Sequence, residues 1–384
     1  MTLDFLGGND LKLLTNGRAY FPALQREIDA AQSEIYLETY IFADDETGKR
    51  IAAALVRAAG RGVRVHVLVD GFGSKGTIEM ARQLLAADNV EVLIFGPKTS
   101  PLTLRRNRLR RLHRKLVAVD ARVAFIGGIN IIDDMHTPRQ TPPRYDYAVR
   151  IEGPLVAEVL EQAERLWRRV AWASLKRGLE RHAPADAAAH GTQNAVLVVR
   201  DNFRHRSDIE DAYLDAIRGA RKEVIIANAY FFPGARFRHA LRTAAERGVR
   251  VVLLLQGRVE YVLLHYASRA LYGSLLDAGV EIYEYHKSFL HAKVAVIDNH
   301  WATVGSSNID PFSLMLAREA NIVVDDLRFS HELRRSLLEH MRSGAKVVAK
   351  RQWHRQPLWR RLIIWSAYGC TRLLMGVAGY GGKH

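Results

Sequence analysis

The sequence predicts an α/β fold built twice, as two pseudo-symmetric sandwich halves from an internal duplication. Three observations carry this. Two stretches of the chain repeat the same residues in the same order. In each, short β-branched apolar runs alternate with amphipathic segments, the pattern of strands linked by helices. The apolar runs are nearly continuous, which implies strands buried on both faces. With 384 residues and 48% hydrophobic content, the chain is long enough to give both halves a core.

The first copy opens with a strand over residues 35–42, continues with a helical stretch over 50–59, and reaches a second strand over 63–71. The second copy places the same elements at 224–232, 237–247 and 249–257. Tyr40 falls opposite Tyr230, and Gly62 opposite Gly248. Both glycines are predicted to end a helix in the left-handed conformation. A helical pattern over 154–177, with Pro154 in its first turn, closes a first half spanning 1–182. The small, polar stretch 184–191 marks a linker over 183–195, the second half spans 196–349, and the composition shifts again over 350–384.

Lysine and arginine number 56 against 41 acidic residues, a formal charge of +15 and a pI near 10.0. The partner is therefore anionic: nucleic acid, an acidic lipid surface or a phosphorylated small molecule. Cys370 is the only cysteine, which excludes a disulfide framework or a cysteine metal cluster within one chain and fits a reducing cytoplasm. Residues 1–10 lack the basic and apolar regions of a signal peptide, and nothing before residue 360 reads as an uninterrupted membrane span.

The chemistry sits in a repeated motif. His113-Arg-Lys115 is followed by Asp120 and then Gly127-Gly-Ile-Asn130; His291-Ala-Lys293 is followed at the same spacing by Asp298 and Gly305-Ser-Ser-Asn308. On a strand, positions i and i+2 share a side, so each half presents one imidazole beside one ammonium. A phosphodiester needs a nucleophile, an acid for the leaving alkoxide and cations around the phosphoryl oxygens. Two such pairs supply all three, with one imidazole forming a phosphohistidine while the other moves protons. Lys115 and Lys293, with the amides of Asn130 and Asn308, are the candidates to hold phosphoryl oxygens. Asp146 and Glu319 follow the two motifs at equivalent places, and either could fix a histidine tautomer. Asp120 and Asp298 belong to the signature, but their five-residue spacing from the lysines turns them to the other side of the strand, toward structure more than chemistry. Gly127, Gly128 and Gly305 read as turn glycines in preference to a phosphate cradle. A lone His-x-Lys is usually just a polar strand face; its repetition in register is what lifts the signal. An ammonium beside each histidine disfavours a divalent cation, so no metal is expected.

These residues resemble the phospholipase D superfamily, whose signature is His-x-Lys-x4-Asp followed by Gly-(Gly/Ser)-x-Asn. Within it the chain looks like the bacterial cardiolipin synthases of type B, on the strength of residues 112–116, 124–130, 146–154 and 305–310. The resemblance covers nearly the whole chain. It implies two α/β sandwich domains with the active site at their interface, working without metal or other cofactor. It also implies transfer of a phosphatidyl group between two phosphatidylglycerol molecules, with His113 as nucleophile and His291 as acid and base. Gly128 stands where the second copy has Ser306, so a phosphate-binding hydroxyl would come from one half only.

Basic residues from Lys98 to Lys115, interleaved with leucines, suit contact with anionic lipid or a solvated loop. Beyond residue 350, Trp353, Trp359 and Trp365 with Arg355, Arg360, Arg361 and Arg372 suit either an interfacial anchor or a docked helix. Taken with these features, the resemblance implies peripheral attachment to the cytoplasmic face of a bacterial cell membrane, with phosphatidylglycerol as partner and no obligatory protein or nucleic-acid partner. A nuclease of the same superfamily and a non-catalytic lipid-binding scaffold are the competing readings. Tyr40, Tyr230, Phe231 and Phe232 could stack bases for the first; two intact motifs disfavour the second.

Overall fold

Strands that are apolar on both faces need helices to cover them, and the chain alternates the two. The computed structural model describes residues 3–96, 110–137, 141–174, 188–201, 205–259, 261–310 and 317–375. Its first half runs β1 (Leu6–Thr15), α1 (Asn16–Ala30), β2 (Glu34–Thr39), α2 (Glu46–Gly60), β3 (Arg64–Asp70), α3 (Ile78–Leu84), β4 (Val90–Phe95), β5 (Arg111–Leu112), β6 (Lys115–Val119), β7 (Val123–Gly127), β8 (Arg144–Tyr145), β9 (Tyr147–Glu152) and α4 (Leu155–Ala173). The second half repeats the order with one extra helix and with a single strand, β17, in place of β8 and β9: β10 (Gln193–Arg200), α5 (Asp208–Gly219), β11 (Glu223–Asn228), α6 (Ala235–Glu246), β12 (Arg250–Gln256), α7 (Val262–Arg269), α8 (Tyr272–Asp277), β13 (Glu281–Tyr285), β14 (Phe289–Leu290), β15 (Lys293–Ile297), β16 (Trp301–Gly305), β17 (Ala317–Asp325) and α9 (Leu327–Gly344). Strand β18 (Ala345–Val347) and helices α10 (Lys350–His354) and α11 (Leu358–Met375) follow.

The sheet order is β1-β9-β7-β6-β2-β3-β4 in one half and β10-β17-β16-β15-β11-β12-β13-β18 in the other. The two arrays match strand for strand except for the edge strand β18, and they join where β1 pairs antiparallel with β10. One large apolar cluster draws on both halves and is filled by α4 and α9, through residues such as Leu160, Leu166, Leu333 and Leu337. The outer faces are covered separately, by α1 and α2 in the first half and by α5, α6 and α8 in the second. β10 begins at Gln193, inside the stretch expected as linker, because Asn194 to Arg200 pair with β17 along their whole length. Helix α4 ends at Ala173, short of the expected 177, and residues 184–187 of the small, polar linker stretch lie outside the described residues. The basic stretch from Lys98 also lies mostly outside them.

Gly62 and Gly248 have φ of 94° and 89°, as their place after a helix requires. The other motif glycines do not sit at left-handed positions, and Gly127 and Gly305 are strand residues, so the turn expected of them is corrected. A Cβ on Gly127 would come within 2.4 Å of the Tyr147 carbonyl oxygen, and one on Gly305 within 2.1 Å of Asn321 Oδ1. They are glycine because neighbouring chain packs where a side chain would be.

Asp120 and Asp298 open the hairpin turns after β6 and β15, with φ of 53° and 51°. Each carboxylate collects three backbone N–H groups from the start of the neighbouring strand: Gln32, Ser33 and Glu34 at 2.7, 2.8 and 3.0 Å, and Arg221, Lys222 and Glu223 at 2.7, 2.8 and 2.9 Å. Partial burial works against ionisation, but these donors outweigh it and hold both carboxyls below the usual range. The motif aspartates, which the signature groups with the catalytic histidines and lysines, therefore staple hairpin to sheet. Asp120→Ala and Asp298→Ala should each lower unfolding free energy by about 1–2 kcal/mol, since the half-exposed charge is partly screened. Because the folded pKa is lowered, the contribution is present at neutral pH and lost as pH falls through that value. Denaturant titration at pH 7 and pH 3 checks this; equal loss at both would contradict it.

Candidate active site

Two short strand pairs cross between the halves. β5, just before His113, lies parallel to the start of β17, with Leu112 opposite Arg318. β14, just before His291, lies parallel to β8, with Leu290 opposite Tyr145. The His113 N–H donates to the Arg318 carbonyl at 3.0 Å, and the His291 N–H to the Tyr145 carbonyl at 2.8 Å. The next residue on each partner strand carries an acid. His113 Nδ1 therefore meets Glu319 at 2.9 and 3.1 Å, and His291 Nδ1 meets Asp146 at 2.5 Å. Each half supplies the acid for the other half's histidine.

The residues ahead of the histidines are fixed from a third side. Asp70, at the end of β3, accepts the Leu112 N–H at 2.7 Å, while Gln256, at the end of β12, donates to the Leu290 carbonyl at 3.4 Å. Lys115 and Lys293 are both buried and donate to the backbone carbonyls of His113 and His291. Lys293 Nζ also lies 2.8 Å from His291 Nδ1 and 3.6 Å from Asp146. The Tyr40 ring forms a wall, 5.0 Å edge-on from the His113 ring and 5.4 Å beneath the Lys115 ammonium. Asn130 uses its side-chain oxygen to accept from Ile41 N–H at 3.1 Å, which leaves its NH2 to donate. Asn308 is buried at the equivalent turn.

Ser306 has a different task from the expected phosphate contact. Its hydroxyl donates to Glu319 at 2.5 Å and accepts the Ala320 N–H at 3.1 Å, so it orients the acid. At the matching position a Cβ on Gly128 would fall 2.3 Å from Asp146 Oδ1. The shorter aspartate draws its carboxylate back onto the backbone, accepting the Tyr147 N–H at 2.8 Å, and leaves no room for a serine.

Electrostatics bind the pieces into one site. Burial lowers the pKa of His113; Glu319 opposes this, and both lysines, one from each half, add to it. His291 is pushed well below the usual imidazole value by burial, Lys293, Arg144 and the first-half Lys115 and His113. Lys115 falls to about 7 and Lys293 to about 8, both through burial first, with each ammonium lowered further by a nearby cation. Burial raises Asp146 to about 6. Because cations of one half act on the groups of the other, the two His–Lys pairs and their two carboxylates lie close enough to work as one site. Among the described residues no group of His, Cys, Asp and Glu is arranged to hold a metal ion. Asp70, Gln256 and Arg144 were missed in the sequence because they lie outside the repeated signature; Tyr40 was visible through its match to Tyr230.

The family described as cardiolipin synthase, PLD-like domain matches residues 24–167 and 213–341. The chain belongs to this family. It is 44% identical over 362 residues to cardiolipin synthase B of Escherichia coli K12, spanning 92% of this chain and 85% of that protein. The cardiolipin synthase of Geobacillus kaustophilus is 31% identical, over 94% and 71% of the two chains. Among solved structures, phosphatidylserine synthase from Haemophilus influenzae superposes with a TM-score of 0.70 at 14% identity, covering 99% of this chain and 97% of that one, which establishes the shared fold. The α/β fold with its duplicated PLD-like halves, expected from the repeat, is therefore the fold observed.

Because Gly128 packs on Asp146 while Ser306 only adds one bond to Glu319, the two swaps should differ. Gly128→Ala should lower phosphodiester turnover at least ~100-fold by displacing the acid, and Ser306→Gly about 10-fold. Steady-state kinetics decide it; equal effects would contradict the packing argument.

Proposed function

We propose that this enzyme transfers a phosphatidyl group from one phosphatidylglycerol to another, giving cardiolipin and glycerol. The observation that supports it most is the crossed pair of His–acid–Lys sets, in a chain 44% identical to a cardiolipin synthase B. With Glu319 accepting from Nδ1–H, the Nε2 lone pair of His113 is free to attack phosphorus. Both oxygens of Glu319 and the Ser306 hydroxyl behind them aim that ring, which favours His113 as nucleophile. As the phosphorus–oxygen bond to the departing glycerol breaks, His291 gives that oxygen its proton. The product is a phosphatidyl-His113 adduct and a neutral His291. His291 then takes the proton from a glycerol hydroxyl of the second phosphatidylglycerol, whose oxygen attacks phosphorus and frees His113. Lys115, Lys293 and the Asn130 amide, joined by Asn308, would hold the non-bridging oxygens. A bound diester adds negative charge beside these groups and so raises the proton affinity of His291 and both lysines.

Purified protein on phosphatidylglycerol vesicles should produce cardiolipin and glycerol, read by mass spectrometry, and acid-quenched His291→Ala should retain a phosphatidyl group on His113. Cleavage of single-stranded DNA without cardiolipin would instead favour the nuclease. The reaction needs both ammoniums, so kcat/KM should fall as pH rises through about 7 to 8, where Lys115 and Lys293 lose their protons. Lys115→Arg should flatten the first part of that decline; activity climbing steadily to pH 9 would contradict the assignment.

We further propose peripheral attachment to an anionic bilayer on its cytoplasmic face. No helix among the described residues is long and apolar enough to cross a membrane. α11 docks by Ile364, Ala367 and Thr371, with the Tyr368 ring 5.7 Å from Phe232, and turns Trp359, Leu362 and Trp365 outward at 62, 68 and 56% exposure. Exposed Arg360 and Arg361 flank this face. α7, beneath α11, begins beside exposed Tyr261, whose ring is 5.6 Å from Tyr230. Aromatics and arginines on an apolar face suit the lipid interface. Trp359→Ala with Leu362→Ala and Trp365→Ala should weaken partition onto anionic vesicles at least ~10-fold in sedimentation assays. Unchanged partition would remove this face from the proposal.

A further inference from the structure

Behind the catalytic strands, on the face of β17 opposite Glu319, lies a narrow cleft between α4 and the end of β10. Arg114, Arg165, Arg169, Arg200 and Arg318 line it, against a single carboxylate, Asp201. Among the described residues, two of the five guanidiniums are engaged in hydrogen bonds. Arg114 is paired with buried Glu38 and donates to the Gln162 carbonyl at 2.9 Å. Arg200 donates to the carbonyls of Ala317 and Arg206 at 2.7 and 3.0 Å. Arg318 is different. It is 9% exposed, and among the described residues its Nε has no hydrogen-bond partner and its guanidinium meets only the Phe95 ring, at 5.8 Å. Among the described residues no carboxylate stands within ion-pair distance of it. Burial, Arg114 and Arg169 lower its pKa to about 10. A buried cation without a partner is costly, and chains keep one where something supplies the opposite charge.

The pseudo-symmetric position sharpens the contrast. Arg318 occupies on β17 the place Tyr145 holds on β8, each accepting a histidine N–H on its carbonyl. Tyr145 is fully satisfied: it stacks on His340 of α9 at 4.0 Å and bonds the Tyr147 hydroxyl, which reaches Ser336 at 2.7 Å. One half fills this place with a closed aromatic network. The other leaves an arginine cleft, with Arg165 and Arg169 one turn apart on α4 and exposed at its mouth.

We infer that this cleft is a second anion site, separate from the catalytic one, which takes a phosphate group between Arg318, Arg165 and Arg169. Guanidiniums suit it because their paired N–H groups match phosphate oxygens. The bound anion would neutralise Arg318, whose backbone carbonyl holds His113 and whose neighbour is Glu319, and so brace the catalytic pair from behind. The phosphate could come from a soluble anion or from a lipid headgroup.

The test is calorimetric titration of the full chain with two probes, inorganic phosphate and glycerophosphoglycerol, the deacylated headgroup. Arg165→Gln with Arg169→Gln changes only exposed helix positions, so the melting temperature in phosphate-free buffer should be unchanged. The wild type should bind one equivalent more than this variant, or bind it at least ~10-fold more tightly. Loss with inorganic phosphate assigns the site to a soluble anion, and loss confined to glycerophosphoglycerol assigns it to lipid. As a check independent of the catalytic centre, Arg318→Met should melt higher than wild type without phosphate, and added phosphate should narrow the gap. Identical titrations for wild type and the double variant with both probes would overturn the inference.

Discussion

The arrangement depends on two parallel strand pairs, each only two residues long, in which the segment before one half's histidine lies against the segment before the other half's acid. A parallel pairing fixes register through backbone N–H and carbonyl groups, so it sets the histidine and the acid in one step. Neither half alone can complete its own His–acid pair. The β1–β10 junction and the shared apolar cluster around α4 and α9 serve this end, because they hold the two halves in the one relation that lets both crossings form.

Symmetry in the backbone does not extend to the side chains around the site. Glu319 reaches far enough to need the Ser306 hydroxyl behind it, whereas the shorter Asp146 occupies the space a serine would take. Asp70 and Gln256 brace equivalent positions with opposite hydrogen-bond polarity, one accepting an N–H and the other donating to a carbonyl. The two histidines consequently sit in different electrostatic surroundings, with an ammonium crowding Nδ1 of His291 and none at that distance from His113. A duplicated scaffold can in this way assign its two imidazoles to different tasks.

Much of this was legible in the sequence, for particular reasons. The strand and helix alternation, the left-handed Gly62 and Gly248, and the catalytic His-x-Lys pairs follow from periodicity and repetition, which are local. The separation of Asp120 and Asp298 from the chemistry followed from strand parity, and their triple backbone contacts explain why the signature contains them. What could not be read was tertiary. That Asp146 serves His291 and Glu319 serves His113 depends on strand pairs only two residues long. That Ser306 faces an acid, that Gly128 is pressed by one, and that Gly127 and Gly305 meet neighbouring strands depends on packing across the sheet. Asp70, Gln256 and Arg318 are not repeated residues, so a search for repeats passes over them.

The crossing itself can be measured directly, by following the ring nitrogens of His113 and His291 with 15N NMR while one acid is changed at a time. Glu319→Gln should move the Nδ1 resonance of His113 and leave His291 nearly in place, and Asp146→Asn should do the reverse. If Asp146→Asn moved His113, or Glu319→Gln moved His291 alone, each histidine would be paired within its own half, and the account of a site shared between the halves would be wrong.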